Sequence, residues 1–269
     1  MRALVRAALC GALALAATST GAIGPASLPD SAAYLIEADG RTLWSKQADR
    51  PLPPASLTKL MTVLVALERI SPDSLGEVGA EAAAESGTRL GLARGDRLAA
   101  GDLAAAALLT SANDACHALA DLAAGNQRRF VDLMNDRARL WGLASTHFAN
   151  ACGHDQPSHR SSARDLMALA RRAMQLPLIA RLVALPQMEI RTAGGERRFR
   201  LVNANALIGR YPGAVGIKSG YTPQAGKCLI AAAQRDGHKV LLVILNGPNR
   251  WWDASDALDR AFAELAHPS

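Results

Sequence analysis

The sequence predicts an α+β fold, and three features of the chain indicate it. Residues 32–38 and 42–47 are strand-like runs, and Asp39-Gly40 between them is typical of a tight hairpin turn. Residues 71–185 carry mainly helical patterns. After Pro186, short apolar runs alternate with turn residues, as they do in a sheet. We therefore expect a sheet combined with a mostly helical lobe.

The first predicted helix follows Pro51, Pro53 and Pro54, which keep the chain extended up to Ser56. Residues 57–67 are apolar on most sides, so this helix should be buried. Four Ala-rich stretches predict the helices of the lobe: 102–109, 112–124, 128–140 and 163–174.

The later strands are predicted at three apolar runs: 215–217, 228–233 and 240–245. The last two form a hairpin through Asp236-Gly237. Leu258, Phe262 and Leu265 then recur at helical spacing near the end of the chain. The opposite face of this final helix is acidic and is repelled by anionic lipid, so we expect it to pack on the sheet.

Residues 1–22 have the three parts of a signal peptide. Arg2 and Arg6 are basic, an Ala/Leu run follows at 7–17, and small residues precede a cleavage site expected near Ala22. The run is weakly apolar and short for a membrane span. We expect an exported protein, periplasmic or associated with the cell wall, without a strong membrane anchor.

The remainder, residues 23–269, should form one catalytic domain. The full sequence has 269 residues, 49% of them apolar, and no internal repeat. Its formal charge of +6 falls to +4 without the two arginines of the signal. Because basic residues are scattered and aromatic residues are few, we expect no nucleic-acid partner.

Three cysteines remain in the exported chain: Cys116, Cys152 and Cys228. In an oxidising compartment, an odd number leaves at least one thiol free or paired with another chain. Their spacing does not show which two would pair, and three small buried side chains are an equal alternative.

Ser56 and Lys59 have the spacing of a nucleophile and its base. Three residues apart on a helix, the two side chains share one face, so the amine can reach the hydroxyl. The N–H of Ser56, at the helix start, is available to an oxyanion. Lys59 must lose its proton through burial or a neighbouring positive charge, and Lys218 is a candidate for that charge. Alone, the pair also fits a helix N-cap followed by an exposed lysine.

Two further motifs carry polar groups. Ser111-Ala112-Asn113 precedes a predicted helix, where the serine is either an ordinary N-cap or a proton shuttle beside an amide that binds a substrate backbone. Lys218-Ser219-Gly220 lies on a predicted strand, and Gly220 lets another chain approach that strand. Each motif alone is explained more simply as the end of a helix or strand.

The three motifs together, in this order, are typical of serine enzymes that acylate on penicillin-like substrates. From residue 32 to about residue 263, the chain resembles the serine D-alanyl-D-alanine carboxypeptidase family, the low-molecular-mass penicillin-binding proteins of peptidase family S11. These further segments also resemble it: Gly95-Asp96, 111–114, Thr146-His147-Phe148 with Asn150, 162–165 and 216–223. The resemblance implies a DD-peptidase/β-lactamase-like fold, with an antiparallel sheet flanked by helices and the active site in the cleft beside the helical lobe.

The resemblance also implies a role for each motif residue. Ser56 would be the nucleophile that forms the acyl-enzyme, and Lys59 would be its base. Ser111 and Asn113 would form the second motif, and Lys218 would orient the substrate carboxylate. The implied activity is a D-Ala-D-Ala carboxypeptidase that acts on peptidoglycan stem peptides, is inhibited covalently by β-lactam antibiotics and uses no metal or cofactor.

Ser219, Gly220 and Tyr221 are implied on the strand that binds the substrate, with the N–H groups of Ser56 and Tyr221 as the oxyanion hole. Arg250 is a further candidate for the substrate carboxylate, because a guanidinium can hold a carboxylate through two hydrogen bonds. An exposed loop arginine is an equal alternative.

The sequence departs from the family in three places. Ser219 replaces the commoner threonine, and Gly153-His154 stands where Gly-Leu is usual. The chain ends after its final helix, so we expect neither the β-rich second domain nor the amphipathic membrane tail of the family. A peptidoglycan DD-endopeptidase therefore remains an alternative to the carboxypeptidase.

A serine β-lactamase and a non-catalytic penicillin-binding module are weaker alternatives. Class A lactamases use a glutamate between the second and third motifs for deacylation. Only Glu189 and Glu196 lie in that interval, and neither precedes the usual Leu-Asn. The intact motifs argue against a module without turnover.

Four potential metal ligands are close in sequence: His147, His154, Asp155 and His159. No predicted helix presents two of them at metal-ligand spacing. We therefore expect surface histidines here and not a metal site.

Overall fold

The computed structural model describes residues 28–266, so the signal peptide predicted at 1–22 lies outside the described residues. The strands in chain order are β1 (Ala33–Ala38), β2 (Arg41–Lys46), β3 (Leu75–Glu77), β4 (Arg97–Ala99), β5 (Gln187–Arg191), β6 (Arg198–Val202), β7 (Ala214–Thr222), β8 (Gly226–Arg235) and β9 (His238–Leu245). The helices are α1 (Lys59–Leu67), α2 (Ala80–Ala83), α3 (Ala100–Leu109), α4 (Asn113–Ala124), α5 (Gln127–Leu140), α6 (Ala163–Ala173), α7 (Pro177–Ala184) and α8 (Arg250–Ala266). A 3₁₀ turn, Ala55–Thr58, precedes α1.

The main sheet has five antiparallel strands in the order β2-β1-β9-β8-β7. The hairpins predicted at Asp39-Gly40 and Asp236-Gly237 are confirmed, joining β1 to β2 and β8 to β9. The third motif lies on β7 at one edge of the sheet, so one side of its backbone faces away from β8.

One face of the sheet packs on the helical lobe, through α6, α7 and the 3₁₀ turn that precedes α1. All residues of α1 from Lys59 to Ala66 are buried, which confirms the helix predicted from its apolar sides. The core at this interface includes Leu57 from the 3₁₀ turn, Met61 from α1, Leu103 from α3 and Ile230 from β8. The start of α1 is therefore fixed between the two parts of the fold.

Helix α8 covers the other face of the sheet. Its Leu258 and Ala261 are buried in a second core with Leu242 and Ile244 of β9. The predicted packing of the final helix on the sheet is confirmed, and so is the α+β fold with helices on both faces. Among residues 28–266, no helix combines the length and the apolar character that crossing a bilayer requires.

Two small strand pairs differ from the sequence prediction. The β3–β4 pair interrupts the region 71–185 that was expected to be mainly helical, and β5–β6 forms an additional hairpin. These strands have only three or five residues and are largely exposed. No apolar run marks them, because little of their surface faces a core.

The structure also resolves the pairing of the three cysteines. Cys116 of α4 and Cys152, in the loop between α5 and α6, form a disulfide, and Cys228 is a buried free thiol. Burial raises the pKa of the Cys228 thiol to about 11. The alternative in which all three are unpaired apolar side chains is wrong.

Candidate active site

Ser56 and Lys59 are in direct contact at the start of α1. Ser56 lies on the 3₁₀ turn, and Lys59 begins the helix. The Nζ atom of Lys59 donates to Oγ of Ser56 over 2.9 Å. The three-residue spacing therefore places the amine at the hydroxyl, as predicted.

Lys59 is fully buried and has two further partners. Its Nζ atom lies 2.7 Å from Oδ1 of Asn113 and 2.6 Å from the carbonyl oxygen of Cys152. The amine is thus held by side-chain and backbone oxygens from α4 and from the loop that follows α5. The first and second motifs meet at this atom.

Burial lowers the pKa of Lys59 to about 7, because the protonated form loses its hydration; the carboxylate of Glu85 opposes this shift. Burial also holds the pKa of Lys218 well below its usual range, and the charges of Lys59 and Arg250 act in the same direction. Of the two causes considered for the pKa of Lys59, burial and the charge of Lys218, burial is the one that lowers it. An amine with a pKa near 7 can accept a proton from a serine at neutral pH.

The second motif contributes mainly through Asn113. While Oδ1 of its amide accepts from Lys59, Nδ2 donates to the carbonyl oxygen of Ser86 over 2.7 Å, which fixes the orientation of the amide. Ser111 is partly buried with φ of +63°, an uncommon backbone angle for serine. Within residues 28–266, its hydroxyl has no hydrogen bond to Ser56 or Lys59.

The third motif lies beside the nucleophile. A Cβ built on Gly220 would be 2.9 Å from the backbone nitrogen of Ser56, so only glycine lets β7 approach this closely. Lys218 is buried, and its Nζ atom donates to the carbonyl oxygen of Ser219 over 2.7 Å. Tyr221 is exposed at the end of the strand. The strand therefore lies against the turn that holds Ser56.

Arg250 contacts the third motif from the first turn of α8. Its Nη1 atom donates to the carbonyl oxygens of Gly220, over 2.5 Å, and Cys228, over 3.3 Å. The guanidinium also lies 4.6 Å from the centre of the Trp251 ring. Arg250 is thus a part of the site wall, and the alternative of an exposed loop arginine is wrong.

His159 was expected at the surface, and that expectation is wrong. The ring is buried, and its Nδ1 atom accepts from the backbone N–H of Ala149. Nε2 therefore carries the proton and donates to Oγ1 of Thr58 over 2.8 Å, while that hydroxyl donates to the carbonyl oxygen of Ala55. Burial lowers the pKa of His159 to about 4, so the ring is neutral.

This chain of hydrogen bonds holds the residue before the nucleophile. Ala55 has φ of +50°, which costs energy for a residue with a Cβ and needs support from its surroundings. The sequence signal for His159 was weak, because its partners lie about a hundred positions away or are backbone groups.

The loop from Asn150 to Asp155 was also missed as part of the site. Oδ1 of Asn150 accepts from the backbone N–H groups of Cys152, Gly153 and His154, which builds a tight turn from one side chain. The carboxylate of Asp155 accepts from Oγ1 of Thr222 at the end of β7. The loop therefore connects the helical lobe to the strand of the third motif.

Glu85 forms a small charged cluster behind Lys59. One carboxylate oxygen lies 2.8 Å from Nδ1 of His117, and the other lies 3.1 Å from Nε2 of His154. Among the described residues, no group of histidine, cysteine or carboxylate side chains has a geometry that could hold a metal ion. The carboxylate of Glu85 raises the pKa of Lys59 and so opposes the effect of burial.

A family model described as D-alanyl-D-alanine carboxypeptidase, peptidase S11, matches residues 21–249. The chain belongs to this family. The expectation drawn from its motifs is confirmed.

Curated members of the family align over most of the chain. DacB2 of Mycobacterium tuberculosis is 35% identical over 89% of this chain and 86% of its own length. DacF of Bacillus subtilis is 31% identical over 88% of this chain, which spans only 63% of DacF. A D-alanyl-D-alanine endopeptidase of Pseudomonas aeruginosa is 30% identical over 81% of this chain and 71% of its own length.

The fold of the family is also shared. The crystal structure of the Streptomyces K15 DD-transpeptidase superposes with a TM-score of 0.82 at 29% identity, covering 88% of this chain and 99% of that one. The family fold thus accounts for the sheet, the helical lobe and the position of the 3₁₀ turn between them.

Proposed function

We propose that the protein is a serine-type D-Ala-D-Ala carboxypeptidase that acts on peptidoglycan stem peptides through an acyl-enzyme on Ser56. The observation that carries this proposal is the contact of 2.9 Å between Lys59 and Ser56, made by an amine whose burial lowers its pKa to about 7. A serine hydroxyl alone is a weak nucleophile, and an adjacent neutral amine supplies the missing base.

In the first step, Lys59 takes the proton of Ser56 while Oγ attacks the carbonyl carbon of the penultimate D-alanine. The N–H groups of Ser56 and Tyr221 are the proposed donors to the oxyanion. The terminal D-alanine leaves with a proton delivered by way of Ser111. Water then releases the shortened peptide from Ser56, with Lys59 again acting as the base.

Because β7 is at the edge of the sheet, a substrate peptide can bind along it as an added strand. An extended peptide can add to its outward backbone groups as an antiparallel neighbour, and Gly220 keeps this strand close to the backbone of Ser56. Arg250 provides positive charge for the terminal carboxylate of the substrate. Burial lowers the pKa of Lys218, and a bound carboxylate would favour its protonated form. Ser219 adds a hydroxyl on the same strand.

The remaining assignments follow from this activity and the predicted signal peptide. Residues 23–269 form the catalytic domain, exported to the periplasm or cell wall after removal of residues 1–22. β-Lactam antibiotics act on the same serine as covalent inhibitors, because they present a carbonyl and a carboxylate to the same groups.

Two measurements test the activity. Labelled penicillin should form a long-lived adduct on Ser56, located by mass spectrometry of the digested protein, and a stem pentapeptide should release D-alanine. Ser56→Ala should abolish both. Absence of the adduct in the wild-type protein would overturn the proposal, and rapid release of hydrolysed penicillin would instead indicate a lactamase.

The structure offers no support for the lactamase. Glu189 pairs with Arg191 on β5, and Glu196 accepts from Thr192 in the turn before β6. Both glutamates are thus engaged at the β5–β6 hairpin. The relative named as an endopeptidase favours one alternative within the family, cleavage of cross-linked stems. Cross-linked dimers offered beside the pentapeptide distinguish the two activities by which substrate is consumed faster.

A further inference from the structure

The amine of Lys59 is held by two segments that a covalent bond joins. One is α4, whose first residue Asn113 accepts from the amine, and the other is the loop whose residue Cys152 accepts through its carbonyl oxygen. Cys116 lies three residues after Asn113, on the same side of α4, and its sulfur is bonded to that of Cys152. The disulfide and the two hydrogen bonds therefore close a ring of which the amine is a part.

The two segments differ in how firmly the fold holds them. Helix α4 is buried along most of its length among the helices of the lobe. The Cys152 loop has no regular backbone pairing from residue 151 to residue 158. Non-covalent contacts hold its ends: the turn around Asn150, a hydrogen bond from Thr62 to the carbonyl of Ala151, and the bond from Thr222 to Asp155. At Cys152 itself, the disulfide is the covalent link to the lobe. The covalent bond thus ties an irregular loop to a packed helix.

We propose that the Cys116–Cys152 disulfide is a positioning device for Lys59: it keeps the carbonyl of Cys152 and the amide of Asn113 on the amine, and it keeps water away from it. This inference rests on the proposed acyl-transfer function. In this role, neither sulfur atom of the disulfide contacts the substrate. The disulfide acts on the reaction by fixing the position of Lys59 and by limiting its hydration.

The physical consequence concerns acylation more than binding. Without the bond, the loop moves and admits water to a lysine that is now fully buried. Less desolvation lets the pKa of Lys59 rise toward its ordinary value, so fewer molecules carry the neutral amine at pH 7. Glu85 favours the protonated form of Lys59. Of the basic groups nearby, Lys218 has a pKa that burial holds well below its usual range, and the charge of Arg250 lowers it further.

The decisive variant is Cys116→Ala combined with Cys152→Ala. We expect the second-order rate constant for acylation by penicillin at pH 7 to fall roughly tenfold or more, since small displacements of a reacting group have large effects on rate. We also expect the midpoint of its pH profile to move upward. A merely structural disulfide would lower the thermal midpoint and the active fraction but leave the pH midpoint of acylation in place.

Ala120→Gly is the matched control. Ala120 is buried on α4, one turn beyond Cys116, and touches none of the partners of Lys59. Glycine loosens the helix through its backbone freedom. This variant should lower the thermal midpoint while the pH midpoint of acylation stays that of the wild type.

Reduction of the wild-type protein gives an independent measurement if the double variant does not fold. Dithiothreitol supplies two electrons and two protons, becomes the cyclic disulfide and leaves two thiols, which thiol titration counts. The reduced protein, checked by circular dichroism, should acylate more slowly and recover on reoxidation.

The inference is overturned if the folded reduced protein, or the double variant, acylates at the wild-type rate with an unchanged pH midpoint. Failure of the oxidised wild-type protein to form any penicillin adduct on Ser56 would instead overturn the proposed function, so the two failures are distinguishable.

Discussion

Gly153 lies directly against the backbone of Ala55, so closely that a Cβ at position 153 would be 2.1 Å from the carbonyl oxygen of Ala55. Its φ of +87° is also one that residues with a Cβ rarely adopt. The loop that supports Lys59 and the turn that presents Ser56 are thus in backbone contact. This contact requires a glycine for two separate reasons.

The first prediction concerns this contact. Gly153→Ala should displace the turn that carries Ser56 and reduce penicillin acylation at least roughly tenfold, because misplacement of a reacting group is costly. Gly142→Ala is the matched control, since Gly142 has φ of +69° but open space around its Cβ position. The control should lose about 1–2 kcal/mol of stability from backbone strain and retain normal acylation. Equal acylation by both variants would contradict the prediction.

The second prediction is a pH profile. Because only the neutral amine accepts the proton of Ser56, the acylation rate should rise with pH through a midpoint of about 7, the pKa of Lys59. Stopped-flow measurement with a chromogenic β-lactam checks it. Lys59→Arg keeps a positive charge, cannot lose a proton near neutral pH and should abolish acylation. A flat profile between about pH 5.5 and 8.5 would show that Lys59 is not the base.

The third prediction concerns the pH dependence of the free energy of unfolding, which follows from the lowered pKa of Lys59. The folded protein releases the proton of Lys59 near pH 7, whereas the unfolded chain holds it up to an ordinary value of about 10.4. Unfolding between these values therefore takes up a proton, so stability rises with pH. Relative to Lys59→Met, the wild-type free energy of unfolding should increase by about 1.4 kcal/mol per pH unit in that range. Urea unfolding at pH 7, 8 and 9 tests it, and parallel curves for the two proteins would contradict it.

The parts of the fold with strong apolar patterns were predictable from the sequence. Helix α1 and the β8–β9 hairpin have the periods and turn residues that their burial requires. The β5–β6 hairpin was not predictable in this way, since its two strands have only five residues each and no continuous apolar run. Each of these strands has one buried residue, Ile190 and Leu201, which is too little burial to produce a strong pattern.

In the site, too, some contacts could be predicted from the sequence and others could not. Ser56 and Lys59 are three residues apart, so helix geometry alone predicts their contact. The contribution of Cys152 is a backbone carbonyl, which any residue could supply, and that of His159 reaches Ser56 only through Thr58 and Ala55. Such contacts are set by tertiary packing and leave no motif in the sequence.

The fourth prediction concerns His159. Its pKa is lowered to about 4 in the folded protein, against about 6.5 in the unfolded chain, so the unfolded chain gains a proton first as pH falls. Above pH 6.5 the ring is neutral in both states, and the free energy of unfolding has its full value. Between pH 6.5 and pH 4 it decreases by about 3 kcal/mol because only the unfolded chain binds the proton. His159→Gln should remove this acid sensitivity. His147→Gln, at an exposed position, is the control: His147 adds to the shift of the His159 pKa, but burial is the largest cause of that shift, so most of the acid sensitivity should remain. Thermal unfolding across pH 4 to 7 measures both, and equal profiles for wild type and His159→Gln would refute the role.

The fifth prediction tests Arg250. Its guanidinium holds the carbonyls of Gly220 and Cys228 and is the proposed partner of the substrate carboxylate. Arg250→Lys retains the charge but loses the planar fork, so the KM for D-Ala-D-Ala peptides should rise about tenfold, with a smaller change in kcat. Arg260→Ala is the control, because Arg260 is on the same helix as Arg250 but stacks on Trp44 of β2. Steady-state release of D-alanine measures both variants. An unchanged KM in Arg250→Lys and in Arg250→Ala would mean that Arg250 supports the wall of the site without binding the carboxylate.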